Sequence, residues 1–160
     1  MNQQHSRTAT ENLMKKIETE EPDPLLIREP YEYKNTLTGM SKQYRIYTAG
    51  TGKHRAAIII TNSNIGAILN SKLSDEDTVV LEIIYEGMSF LAASMYFDIE
   101  DQIQNNLNKM EKLFRFAKEG RILLAVDSNA RLKTCHDAKT NARGRKLEEY
   151  LVRRHLHIIN

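Results

Sequence analysis

A single cysteine, Cys135, stands among 160 residues. It rules out an internal disulfide framework, a CxxC pair and a Cys/His zinc cluster, and it fits a reducing compartment. The five histidines fall into no metal-ligand spacing. Three prolines and seven glycines are too few to mark a linker, so residues 1–160 read as one domain. No apolar run approaches the length that crosses a bilayer. The opening "MNQQHSRTATENL" has no apolar centre of a secretory signal. Together these absences exclude a membrane span and a secreted disulfide scaffold. They leave an intracellular protein, nuclear or cytoplasmic, as the expectation.

What is present is an ordinary globular mixture, 41% hydrophobic and 28% charged, with a net charge of +2. The charge is uneven. Arg121 to Asn160 carries nine Lys/Arg against four Asp/Glu, whereas the rest carries 14 basic and 17 acidic residues. The basic segment is either a solvated helix face or a phosphate-facing surface.

Periodicity supplies the elements. Ala9, Leu13 and Ile17 recur every four residues, and Thr8 with Glu11 has capping-box spacing, which predicts a helix from 9 to about 20. "EEPDP" stops it. Leu25–Ile27, "YRIYTA" and "RAAIIIT" read as strands. "DTVVLEIIY" and "MSFLAASMY" flank a hairpin turn at Glu86-Gly87. Ile103, Leu107, Met110, Leu113, Phe114 and Ala117 form one helical stripe, with Gly120 placed to cap it. "RILLAV" reads as a buried strand, Ala142 to His155 as a last helix, and "LHII" as the start of another strand. The order implies mixed sheets packed against helices.

The chemistry centres on "LLAVDSNARL". A carboxylate at the exit of a buried strand costs desolvation unless something pairs with it. Strand ends of this kind carry ligand sites in α/β sheets. Glu29 stands likewise after "LLI". Two such carboxylates repel, and a hard divalent cation relieves the repulsion; Mg²⁺ takes one or two protein carboxylates and fills its shell with water and phosphate oxygens. Asn129 adds a neutral group for gripping phosphate. The competing reading is an Asx-type turn formed by Asp127 and Asn129. Tyr96, at a strand end, reads equally as an amphipathic aromatic. Gly144 reads as part of a DNA contact with Arg143 or as a close backbone approach at a helix start. His136 and His155 take no role.

"NQQHS" from Asn2, "REPY" from Arg28, "RAAIII" from Arg55, "YFD" from Tyr96, "DSNAR" from Asp127 and "TNARGRKLEEYL" from Thr140 come in order along almost the whole chain. The set resembles the endonuclease/exonuclease/phosphatase superfamily, and within it the endonuclease domains of LINE-type non-LTR retrotransposons. The resemblance implies a DNase I-like, four-layer α/β (α+β) sandwich of two mixed sheets flanked by helices. It implies Mg-dependent nicking of DNA, with Mg²⁺ or, in its place, Mn²⁺. Asn2, Tyr96, Asp127 and Asn129 would be catalytic: Asn2 supporting the metal and the activating carboxylate, Tyr96 touching the scissile phosphate, Asp127 orienting or activating water, Asn129 stabilising charge on the phosphate. Glu29 would ligate the metal. Asn141 and Arg143 would contact DNA. A reverse transcriptase domain would be the partner within a full-length parent.

The sequence also departs from the pattern. Arg28 replaces a frequent Gln, and Cys135 a frequent Trp. The family's later aspartate and its Ser-Asp-His motif have no match within these residues. The expectation is a domain incomplete at both ends, lacking the C-terminal part of the second sheet, with impaired cleavage and a tendency to self-associate through the uncovered sheet. The alternative is a non-catalytic DNA-binding or interaction remnant. A lipid or nucleotide phosphatase is a third class, against which "TNARGRKLEEYL" speaks.

Overall fold

The computed structural model describes residues 1–34, 36–118, 120–135, 137–156 and 158. α1 (Arg7–Glu20) begins earlier than the spacing predicts. Ser6, not Thr8, is the N-cap: its backbone is extended and its Oγ accepts from the Ala9 amide at 3.3 Å. Leu13 and Ile17 are buried, as their spacing requires. Glu21 turns left-handed and the two prolines after it end the helix.

β1 (Leu25–Arg28) follows, then a small hairpin of β2 (Glu32–Tyr33) and β3 (Thr36–Leu37) that periodicity does not reveal. β4 (Arg45–Tyr47), β5 (Ala56–Ile60) and the unforeseen β6 (Gly66–Leu69) come next. β7 (Thr78–Tyr85) and β8 (Met88–Tyr96) join through Glu86 and Gly87, both at positive φ as a tight hairpin needs. α2 (Ile103–Ala117) leads to β9 (Ile122–Asp127), a short 3₁₀ turn and α3 (Ala142–Arg153). Gly120 does not cap α2; Lys118 takes that position, its amide bonded to Phe114. Leu156 lies outside any strand, and the rest of the strand expected at "LHII" falls largely outside the described residues.

β1, β5 and β4 form one antiparallel sheet with β5 in the middle. β6, β7 and β8 form an antiparallel run, and β9 joins β8 in parallel through the α2 crossover. The two sheets face each other. Ala56, Ile58 and Ile60 pack on Val79, Leu81, Ile83 and Ala92 between them. The alternate residues of β5, Ala57 and Ile59, pack outward on Leu13 and Ile17 of α1. With both faces covered, β5 is buried along its whole length, which explains its unbroken apolar run. Outside the second sheet, Val80 and Ala93 meet Leu113 of α2, while Met95 packs in a second cluster with α2 and with Leu147 and Tyr150 of α3. The layers are therefore helix, sheet, sheet, helices.

Two details aim the site. Asn2 bridges Arg28 in parallel, so the first residues extend the β1 edge. β9 is only partly buried, contrary to its apolar composition, because it is the outer strand of its sheet among the described residues. No helix among those residues is long and apolar enough to cross a membrane.

Candidate active site

The ends of β1, β8 and β9 meet at one rim of the sandwich. Register places Tyr96 directly beside Asp127. The Phe97 amide donates to the Asp127 carbonyl at 2.8 Å, so the two strand exits leave together. Asn2 reaches across from the first sheet, and its Nδ2 donates to Asp127 Oδ2. The backbone of Asn2 is fixed by flanking bonds: Arg28 N to Met1 O at 2.9 Å and Gln3 N to Arg28 O at 2.8 Å. A residue beside the chain terminus is thereby ordered by strand pairing rather than frayed.

Asp127 also accepts from the Asn129 amide at 3.3 Å. That bond is the Asx turn, so the local turn and the cross-sheet contact coexist on one carboxylate. Asn129 is left-handed, and its Nδ2 donates to Phe97 O at 3.1 Å. This turns its amide back over the β8 exit, within reach of the Tyr96 hydroxyl. Burial and the nearby Glu29 and Asp98 charges raise the Tyr96 pKa against the pull of Asn129 and Arg55, so the phenol stays protonated, a donor, at neutral pH. Glu29 directly follows β1, left-handed at φ 48°. Its amide donates to Arg55 O at 2.8 Å, and its carboxylate lies 3.7 Å from His5 Nε2.

The geometry thus gathers Asn2, Tyr96, Asp127 and Asn129 in direct contact, with Glu29 close enough for its charge to act on Tyr96. Among the described residues no group of three or more His, Cys, Asp or Glu side chains could hold a metal ion. Glu29 and Asp127, each at a strand exit of this rim, are the acidic oxygen donors a metal could draw on, and a Mg²⁺ shell takes only one or two protein carboxylates.

Asn141 and Arg143 are engaged with main-chain groups. Asn141 caps α3, its Oδ1 accepting from the Gly144 amide at 2.7 Å. Arg143 donates to the carbonyls of Ser128 at 3.0 Å, Asp98 at 2.7 Å and Asp101 at 2.6 Å. It staples the loops after β8 and β9 to the start of α3. Gly144 is the close approach of the two readings above, because a Cβ there would overlap the Arg131 carbonyl oxygen. His136 lies outside the described residues. His155 is exposed and follows α3.

Sequence reasoning missed the ionic frame under the site. Arg55 grips Asp77 through Nε and Nη2, the latter at 2.8 Å, and Asp98 through Nη1. Its guanidinium lies 5.2 Å from the centre of the Tyr96 ring. Burial pushes Asp77 above the usual carboxylate range despite that pairing. The signal was present: an arginine immediately before a fully apolar strand, and an acid immediately before another strand. Nearby, His54 Nδ1 and its amide both bind the buried Glu32 carboxylate. A groove of about 450 Å³ between α2 and α3 contains none of the site residues; Arg115, Tyr150 and Arg154 converge there on Glu111.

Fold and site together define a class. Two facing sheets, helices outside and a polar rim at the strand exits make a DNase I-like sandwich fold. Several solved structures share it. The endonuclease domain of TRAS1, a telomere-specific non-LTR retrotransposon, superposes with a TM-score of 0.86, at 24% identity, over 100% of this chain and 71% of its own. A humanized D. rerio TDP2 gives 0.60 at 13% identity, over 89% of this chain and 66% of its own. D. rerio TDP2 complexed with a single-strand DNA product gives 0.56 at 13%, over 83% and 58%. No family model and no curated protein matches the chain.

Proposed function

We propose that residues 1–160 are a DNA endonuclease domain of the non-LTR retrotransposon type, hydrolysing phosphodiester bonds with Mg²⁺. The observation that carries the reading is the Asn2–Asp127 bond beside Tyr96 and Asn129. It joins the two sheets at the one rim where the four motif-matched residues lie. The likeness to TDP2 complexed with a single-strand DNA product supports DNA as the substrate, and a reverse transcriptase in a longer parent chain belongs to the same reading.

In this reading Glu29 holds the metal, with Asp127 as the second acidic oxygen donor. When bound, Mg²⁺ or Mn²⁺ supplies positive charge that stabilises the phosphate and the departing 3′ oxygen. Asp127, oriented by Asn2, takes the proton of the attacking water. The Tyr96 hydroxyl, kept protonated by burial, donates to a phosphate oxygen. Asn129 places its amide for the charge that develops there. Asn141 and Arg143 act on DNA through the loops they hold.

The test is nicking of supercoiled plasmid in Mg²⁺. Asp127→Ala should lose about 10²–10⁴-fold in rate, the usual worth of a positioned acid–base group. Equal rates in both proteins remove Asp127 from the mechanism. The basic balance of Arg121–Asn160 favours a second reading, DNA binding without cleavage. In the same assay that reading appears as a gel shift weakening steeply with salt and no nicking by either protein.

A further inference from the structure

We infer that His5 is a positioning residue for Glu29, an assignment that rests on the reading of Glu29 as the metal ligand. Glu29 needs holding. Its φ of 48° is a left-handed backbone that non-glycine residues keep only when the surroundings enforce it. The enforcing contacts come from two sides. The Arg55 carbonyl takes the Glu29 amide at 2.8 Å, and the His5 amide donates to the Glu29 carbonyl at 2.8 Å. The His5 ring adds a third contact, with Nδ1 2.9 Å from the Pro30 carbonyl. That oxygen can only accept, so Nδ1 carries the proton. His5 therefore grips the Glu29–Pro30 corner through its main chain and its ring together, while the rest of the ring walls the Glu29 carboxylate at 3.7 Å.

His5 is itself built into place. Gln4 and His5 are consecutive left-handed residues at φ 48° and 51°. The turn is tied by Gln4 N to Asn2 Oδ1 at 2.7 Å and Ser6 N to Gln3 O at 2.9 Å, immediately before Ser6 caps α1. Such strain collects at functional sites. One short segment thus serves both acids: Asn2 donates to the Asp127 carboxylate, and His5, three residues on, fixes the main chain that carries Glu29.

The experiment is calorimetric titration of the full chain with Mn²⁺ in the absence of DNA, with thermal melting of each variant and plasmid nicking alongside. His5→Ala should weaken Mn²⁺ binding about 10–100-fold, as loss of a group that orients a ligand does. His5→Asn should restore it to within a few-fold, because Asn tolerates the left-handed backbone and places an N–H near the Nδ1 position. Glu29→Gln should abolish binding. If Glu29→Gln loses the metal and His5→Ala binds as tightly as native, the His5 role is overturned and the Glu29 reading stands. Unchanged binding in Glu29→Gln overturns the Glu29 reading itself. If His5→Ala does not fold, His5→Asn decides: native-like affinity supports the role, and a tenfold or greater loss in a folded His5→Asn sinks it.

Discussion

Single residues in this protein carry double duty at the strand exits. Asp127 closes an Asx turn and accepts from Asn2 across the sandwich. Gly144 illustrates the opposite economy, a residue defined by what it lacks. With no side chain, it lets α3 start against the Arg131 carbonyl, to which the Asn141 amide donates at 3.1 Å. Gly144→Ala must push backbone away from backbone. Overpacking of this kind costs about 1–3 kcal/mol, and each kcal/mol lowers Tm by about 2–4 °C in a chain of this size. Differential scanning calorimetry should record that drop, and an unchanged Tm would show that the approach relaxes freely. At this scale the sequence was partly legible. Asp127 and Tyr96 stood out because each ends an apolar strand, and Asn129 because it follows Asp127 by two residues. His5 and Arg55 did not, since their partners lie at Pro30, Asp77 and Asp98, and no local pattern encodes those meetings.

Elements follow their periodicity where one face is apolar. α2 runs Ile103–Ala117 on the stripe that predicted it, and the β7–β8 hairpin turns at Glu86-Gly87. Short elements escaped for the same reason. β2, β3 and β6 have two to four residues, too few to show a period. The segment between β8 and α2 is held electrostatically instead. Asp98 accepts from the Glu100 amide at 3.0 Å and pairs with Arg55, and these contacts hold its carboxyl below the usual range. A depressed folded pKa means the stabilisation is present above the unfolded carboxylate value, about 4, and fades as pH falls through the folded value. Asp98→Asn should therefore melt below native at pH 7, with the gap closing in acid. A gap constant from pH 7 to pH 2 would remove the ion pair as its cause.

At the scale of the whole molecule, the uncovered apolar surface stands out. Leu123 of β9 shares a side with Ala92, the side turned toward the other sheet, yet it is 45% exposed because the first sheet does not extend over it. Ile68, Ile84 and Phe116 line a second apolar groove at the far edge, 47–65% exposed. Such patches favour association, so we expect light scattering on the isolated chain to give more than a monomer mass, increasing with concentration. A monodisperse monomer would count against it. The amino-acid order alone determined the longer elements of this protein: apolar runs and alternation made the strands, period 3.6 the helices, and strand-end acids and amides marked the candidate chemistry, since each depends on neighbours a few residues away. Only tertiary structure decided that Asn2 meets Asp127 from 125 residues away, that β9 is an edge rather than a buried strand, and that Arg143 holds loops. Those outcomes depend on how the two sheets stack, and stacking is settled by packing between distant segments.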